Sequence, residues 1–426
     1  MIWFLLALII ILIFLRFPVY LSLLSVSVLY ITLEPTAGTI IVQRMASGLE
    51  SFPLLAVPLF VLAGTLMARG GIAERLMSFA TLLVGHWRGG LAQVNVLNSL
   101  MVGGMSGSAN ADAAVDAKVL VPIMRKQGYP NGFSSAVTAA SGSIAPILPP
   151  SIGLILYGVL ANVSVGALFI GGVIPGLLIA VALSATVWVL SRRHGYPKVR
   201  DRMARPAEIA RGFIRSLPAL LMPVLLIVGL RMGVFTPTEL AAVAVVYALV
   251  VSFAMKQITV RELPGIFKEA ALTSGVVMII IAAAAVFGIV VAYEQIPQQL
   301  LGLLSSVSDN PFVLLLIINM LLIVLGIFME SMSLMIILVP VLAPIAFSVG
   351  IDPVHFGVMI VLNLTIGSIT PPVGSVLYTV AAITKVKIGE FTKSFIPFFI
   401  ALVVVLLLVT YLPWLVTWLP ELTRGR

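Results

Sequence analysis

Long apolar runs alternate along this chain with short polar punctuation, and the run lengths decide how it reads. A helix needs about 20 apolar residues to cross the hydrocarbon core of a bilayer. Runs of that kind place crossings at about 2–15, 18–33, 52–68, 133–162 and 167–191. Beyond a polar loop at 192–215 they resume at 217–230, 237–255, 270–291, 356–384 and 395–415. Two further apolar stretches, 89–127 and 312–349, are interrupted in the middle by Gly104-Met-Ser-Gly-Ser-Ala-Asn-Ala-Asp112 and Gly326-Ile-Phe-Met-Glu-Ser-Met-Ser333. Each reads as a re-entrant hairpin, tolerated at membrane depth only if protein or a water-filled cavity covers its tip. The stretch 2–15 has no basic residue before it and no small-residue cleavage site after it, so it reads as a retained span.

The pattern repeats. Gly104, Pro122, Gly128 and Pro149-Pro150 recur 222 residues later as Gly326, Pro344, Gly350 and Pro371-Pro372. Gly64 and Ile72 recur as Gly288 and Ile296, at an offset of 224. Five crossings precede the central loop, and an odd number sends the second copy in with opposite orientation. The expectation is an all-α polytopic membrane protein, with about ten spanning helices and two re-entrant hairpins in an inverted repeat. Inverted repeats with broken helices are the build of secondary transporters, whose sites lie near the bilayer midplane.

Composition supports the membrane reading: 61% of the 426 residues are hydrophobic and 10% are charged. The net charge of +9 does not point to nucleic acid, because the basic residues sit in short loops between apolar runs. Loop 192–215 carries eight of them, which the positive-inside rule places in the cytoplasm. Counting crossings from there puts 20 of the 25 basic residues on that side and both termini outside. Zero cysteines exclude thiolate chemistry, and three scattered histidines (His86, His194, His355) give no zinc spacing. No Walker A loop is present, so ATP is not expected as the direct energy source.

Chemistry is expected at the two Pro-Pro breaks. Proline lacks an N–H, so Pro149 and Pro371 should leave the carbonyls of Ala145 and Gly367 without their helical partners. Freed carbonyls at membrane depth suit a weakly hydrated cation such as sodium. The expected sodium ligands are Gly104, Ala145, Leu148 and Ser151 in the first repeat, and by the 222-residue offset Gly326, Gly367, Thr370 and Val373 in the second. Close helix packing through small residues is the competing account of the same glycines. Ser106, Ser108, Asn110 and Ser143 are the expected substrate-facing residues. Asp112, Asp116 and Glu330 fall inside the hairpins, where ionisable groups are costly and default to function. Asp112 also reads as a cap on the returning helix, facing water.

The run Gly104-Met-Ser-Gly-Ser-Ala-Asn-Ala-Asp-Ala-Ala114, then Ala139-Ala-Ser-Gly-Ser-Ile-Ala-Pro-Ile-Leu-Pro-Pro-Ser-Ile152, then Thr370-Pro-Pro-Val-Gly374 resembles the large membrane subunit of TRAP transporters. Arg16-Phe-Pro-Val19 resembles the family's Gly-x-Pro segment with phenylalanine in place of glycine. The resemblance covers essentially the whole chain. It implies an ATP-independent system in a bacterial or archaeal inner membrane that couples sodium to uptake of a carboxylate-bearing solute, such as sialic acid or a C4-dicarboxylate. It further implies a soluble periplasmic binding protein and a small four-helix membrane subunit, here expected as a separate chain. The implied mechanism is an elevator, with the amphipathic stretches 69–84 and 292–304 as arms.

On that plan the chain divides into scaffold helices at 1–50, a first repeat core at 51–191, a basic loop and further scaffold at 192–269, a second core at 270–386, and a scaffold helix at 387–426. Two alternatives remain. A stand-alone anion:sodium symporter or arsenite-type permease would work without partners. An intramembrane serine protease would use Ser106 in Gly104-Met-Ser-Gly107, and needs a histidine base beside it.

Overall fold

A computed structural model describes residues 8–9, 11–12, 15, 17–33, 40–233, 235–305 and 310–424. The expected crossing at 2–15 falls largely outside them, as do Arg16 and Arg426. The described residues form nineteen α-helices, three 3-10 turns and no strand. Eight helices are long and apolar enough to cross a membrane.

In the first half, Val19–Leu33, Ile40–Leu49 and Ala56–Arg69 lead into a short helix, Ile72–Val84. Then come hairpin one (Gly90–Ser106 and Ala109–Lys126), a broken helix (Asn131–Ser141 and Ile152–Leu160) and the long helix Val165–His194. Pro206–Arg231 and Pro237–Ala254 connect the halves. The second half repeats the plan with Leu263–Tyr293, the short helix Ile296–Ser305, hairpin two (Pro311–Phe328 and Ser331–Ser348) and a broken helix (Pro353–Ile369 and Ser375–Thr384). Ile388–Tyr411 and Trp414–Arg424 follow.

The repeat read from the sequence is a repeat of hydrogen bonds. Gly128 and Gly350, at φ +87° and +83°, end the two returning arms in the left-handed conformation that glycine adopts without a side-chain penalty. Tyr129 N–H donates to the Met124 carbonyl at 3.1 Å, and 222 residues on Ile351 N–H donates to Ala346 at 3.0 Å. The short helices begin at Ile72 and Ile296, the pair found at the offset of 224. Both Pro-Pro bonds are cis.

Three expectations need correction. The loop 192–215 is not all loop: proline at the first helical position starts a helix at Pro206, so Arg211 and Arg215 stand on a helix that runs to Arg231. Glu208 there accepts the Arg205 N–H at 3.0 Å and the Arg200 guanidinium at 2.8 Å. The run 270–291 begins earlier, at Leu263, behind Glu262 and Thr259 in a reciprocal cap. Finally, Ile40–Leu49 and Trp414–Arg424 are helices too short to register as crossings.

The halves interlock. The returning arm of hairpin one packs on Ser375–Thr384 of the second broken helix, and that of hairpin two packs on Ile152–Leu160 of the first. Every residue from Val354 to Ile369 is buried, as is every residue from Gly132 to Gly158, so both broken helices run through the core. Pro206–Arg231 is the opposite case, with Leu221, Val224 and Val228 among its exposed apolar residues, as a lipid-facing helix requires.

Candidate functional site

Each hairpin tip lies against the break of its own repeat. In the first repeat, helix 131–141 tightens into a 3-10 turn at Gly142–Ile144 and then unwinds until Ser151 caps Ile152–Leu160. The Ser151 hydroxyl accepts the Leu154 N–H at 3.0 Å and donates to the Pro146 carbonyl. Both Ile147 and Leu148 donate to Ile144, and among the described residues no N–H donates to the Ala145 carbonyl. The glycine against this break is Gly103: a Cβ there would stand 2.9 Å from Ala145 Cα. Gly104 instead abuts Pro223 and the Pro149 carbonyl oxygen, where a Cβ would meet atoms at 3.1 and 3.4 Å.

In the second repeat the approach is glycine to glycine, Gly326 against Gly367. The expectation of a free Gly367 carbonyl is corrected, because Thr370 N–H donates to it at 3.0 Å in a tightened last turn. One lone pair of that oxygen remains for another partner. The Thr370 hydroxyl donates to the Ile366 carbonyl at 2.7 Å, leaving its oxygen free to accept. Val373 is 42% exposed, and because its side chain is pure hydrocarbon, any ligand from this residue is its backbone oxygen.

Buried amides pin both tips from behind. Ser141 donates to Asn95 Oδ1 at 2.9 Å, and Asn363 donates to Asn319 Oδ1 at 2.6 Å. Ser141 and Asn363 are 222 residues apart and Asn95 and Asn319 are 224 apart, so ingoing arm and broken helix are tied alike in both repeats.

Between the tips lies a small cavity of about 40 Å³, walled partly by Met332, Met335, Val361 and Val376. Ser108 and Asn110 line it from tip one and Glu330 and Ser331 from tip two, with Thr365 and Ser368 of the second broken helix. The volume is close to the share of one water, so a larger solute enters only if the tips part. Of the residues expected to face substrate, the structure brings Ser108 and Asn110 to this cavity and leaves two aside. Ser143 is fully buried and donates to Ala140 at 2.6 Å, and the buried Ser106 hydroxyl has no hydrogen-bond partner among the described residues. The histidines lie elsewhere, with the His194 and His355 rings bonded to the Leu190 and Val409 carbonyls. Ser331, Thr365 and Ser368 were missed. Adding 222 to Ser143 gives Thr365, so the repeat carried that signal.

The acidic residues do not behave alike. Asp112 is not the cap of the returning arm; Ser108 is, accepting the Ala111 N–H at 3.4 Å. Asp112 is buried beside Ser99 and Asp116, and neither of its oxygens has a hydrogen bond among the described residues. Asp116 accepts from Asn98 at 2.8 Å and Ser99 at 3.1 Å. Glu330 caps the returning arm of hairpin two, accepting the Ser333 N–H at 3.0 Å.

Known proteins share this sequence and this fold. The profile of the family described as "Tripartite ATP-independent periplasmic transporter, DctM component" matches residues 6–415. The chain is 43% identical to the sialic acid TRAP transporter large permease protein SiaM of Vibrio cholerae, over 97% of each chain. It is 37% identical to the C4-dicarboxylate TRAP transporter large permease protein DctM of Rhodobacter capsulatus, over 95% of each. Among solved structures, the YdaH transporter of Alcanivorax borkumensis matches with a TM-score of 0.65 at 16% identity, over 88% of this chain and 87% of that one. Fold, repeat and sequence agree: this multi-pass membrane protein belongs to the TRAP transporter family, as a large membrane subunit.

Proposed function

We propose that this subunit imports a carboxylate-bearing solute on a sodium gradient, receiving it from a soluble periplasmic binding protein and working beside a small membrane subunit. The observation that carries the reading is the pair of tip-and-break contacts, Gly103 on Ala145 and Gly326 on Gly367, beside a small cavity that Ser108, Asn110, Ser331, Thr365 and Ser368 help to line. Each contact brings the end of a hairpin arm against backbone oxygens at or beside a helix break, the donor chemistry that suits sodium. In the first repeat the ion would take oxygens of Gly104, Ala145, Leu148 and Ser151, and in the second those of Gly326, Gly367, Thr370 and Val373. The cavity between them supplies hydroxyl and amide groups for the solute, and sodium beside it offsets a carboxylate's charge.

The relatives favour an organic acid. Sialic acid is the first candidate, because the 43% identical relative is named for it, and a C4-dicarboxylate is the second. The hairpins and broken helices (51–191 and 270–386) would move as one body against 1–50, 192–269 and 387–426 in the inner membrane, with loop 192–215 in the cytoplasm. Ile72–Val84 and Ile296–Ser305 would be the linking arms.

The test is uptake of labelled sialic acid into proteoliposomes holding both membrane subunits and the binding protein, with sodium replaced by potassium. Uptake should fall to background. Full-rate uptake without sodium defeats the coupling, and full-rate uptake without the binding protein favours a stand-alone permease.

A further inference from the structure

A second cavity, about 1130 Å³, shares no lining residue with the one between the tips and lies between the ingoing arm of hairpin one and the long helix Val165–His194. Its two walls are graded in the same direction. On the long helix Leu177, Val181, Trp188 and Arg192 follow one another along a single stripe, from apolar through aromatic to cationic. From Leu177 to Arg192 the stripe rises about 22 Å along the helix. The opposite wall runs antiparallel, from Arg88 and Trp87 at the cationic end down to Leu97 and Leu100. Lys198 closes the cationic end, and no acidic residue lines the cavity.

The lining is open to its surroundings: Leu177 is 46% exposed and Val181 is 66% exposed. The Arg192 guanidinium carbon sits 3.9 Å from the centroid of the Trp188 ring. A groove with a hydrocarbon floor and a mouth of tryptophans and cations has the polarity of a lipid. Tryptophan prefers the level of the headgroups, and basic pockets between helices attract anionic ones.

We propose that this groove binds an anionic phospholipid. Its phosphate lies among Arg88, Arg192 and Lys198, and its acyl chains run along Leu97, Leu100, Leu177 and Val181. Three cations without a counter-charge favour an anionic headgroup over a zwitterionic one, or over an apolar helix of a partner. Leu97 and Leu100 flank Asn98 and Ser99, the residues that hold Asp116, so the lipid bears on the arm that carries tip one.

The groove contains two of the chain's five tryptophans, and that makes it measurable. Trp3→Phe, Trp414→Phe and Trp418→Phe together leave Trp87 and Trp188 as reporters. The full chain is reconstituted in phosphatidylcholine vesicles and titrated with phosphatidylglycerol or phosphatidylcholine carrying brominated acyl chains. Brominated phosphatidylglycerol should quench at a mole fraction roughly a hundredfold lower, since each of the three basic groups is worth about fivefold in anionic-lipid affinity. Arg192→Gln with Lys198→Gln should cut that preference at least fivefold, while Arg211→Gln with Arg215→Gln, outside the groove, should leave it unchanged. Equal quenching by the two lipids overturns the proposal, as does the same loss of preference in both double variants. The comparison of the two lipids stands even if a double variant fails to fold.

Discussion

Gly326 and Gly367 stand backbone against backbone: a Cβ on Gly367 would lie 2.7 Å from Gly326 Cα and 2.9 Å from its carbonyl carbon. No side chain fits between them without moving a tip away from its break.

Gly367→Ala should therefore destabilise the subunit by about 1–3 kcal/mol, the usual cost of overpacking a tight core. On the proposed sodium coupling, sodium should raise the melting temperature of the unsubstituted subunit, and Gly367→Ala should abolish that shift, because the tip can no longer reach the break. Gly275→Ala is the control: it lies within helix Leu263–Tyr293, and a Cβ there meets nothing within 4 Å. Melting curves with and without sodium check both. A Gly367→Ala protein that keeps the full sodium shift would separate ion binding from this contact.

The two Pro-Pro breaks should not be equivalent. Pro149→Ala restores an N–H that can pair with the Ala145 carbonyl, which has no donor of its own among the described residues. Pro371→Ala offers a donor to a Gly367 carbonyl that already accepts the Thr370 N–H. The sodium concentration for half-maximal uptake should rise several-fold in Pro149→Ala and less in Pro371→Ala. An unchanged sodium titration in both would mean that the breaks serve helix geometry alone.

Asp116→Ala should cost about 2–3 kcal/mol, because it strands the buried Asn98 amide and Ser99 hydroxyl that donate to it. Asp112→Asn removes no hydrogen bond and should leave the melting temperature within a degree or two. Equal destabilisation by the two substitutions would show that Asp112 has a partner that only the working protein provides.

Orientation is open to a direct test in a chain with no cysteine. Asp201 is exposed in the basic segment, so Asp201→Cys should resist an impermeant maleimide in intact cells and label once they are permeabilised. Labelling in intact cells would reverse the topology of both repeats.

Much of this architecture was legible because it depends on periodic marks. Pro-Pro pairs, chain-reversing glycines and apolar run lengths survive in the sequence, and they located the hairpins, the breaks and the offset between the halves. What stayed hidden depends on distance across the fold. The 222-residue offset singles out Gly104, and only the angle of the arm decides that its neighbour Gly103 meets Ala145. Ser143 and Thr365 occupy equivalent positions, yet only Thr365 reaches the cavity: it stands on an α-helix, whereas Ser143 stands in a 3-10 turn. The helix Trp414–Arg424 was invisible for a different reason: its 11 residues are too few to register as a crossing.

The interlock between the halves also sets a timetable for synthesis. Asn110 of tip one is bonded by the Thr379 hydroxyl at 3.3 Å, 269 residues further along the chain. A ribosome adding about 5–20 residues per second needs roughly 13–54 seconds to cover that distance. During that interval hairpin one, with Asp112 and Asp116 inside it, stands in the membrane without the helix that finally covers it. Newly made first halves are thus exposed to membrane chaperones and proteases for far longer than second halves, whose partners in the first repeat are already in place.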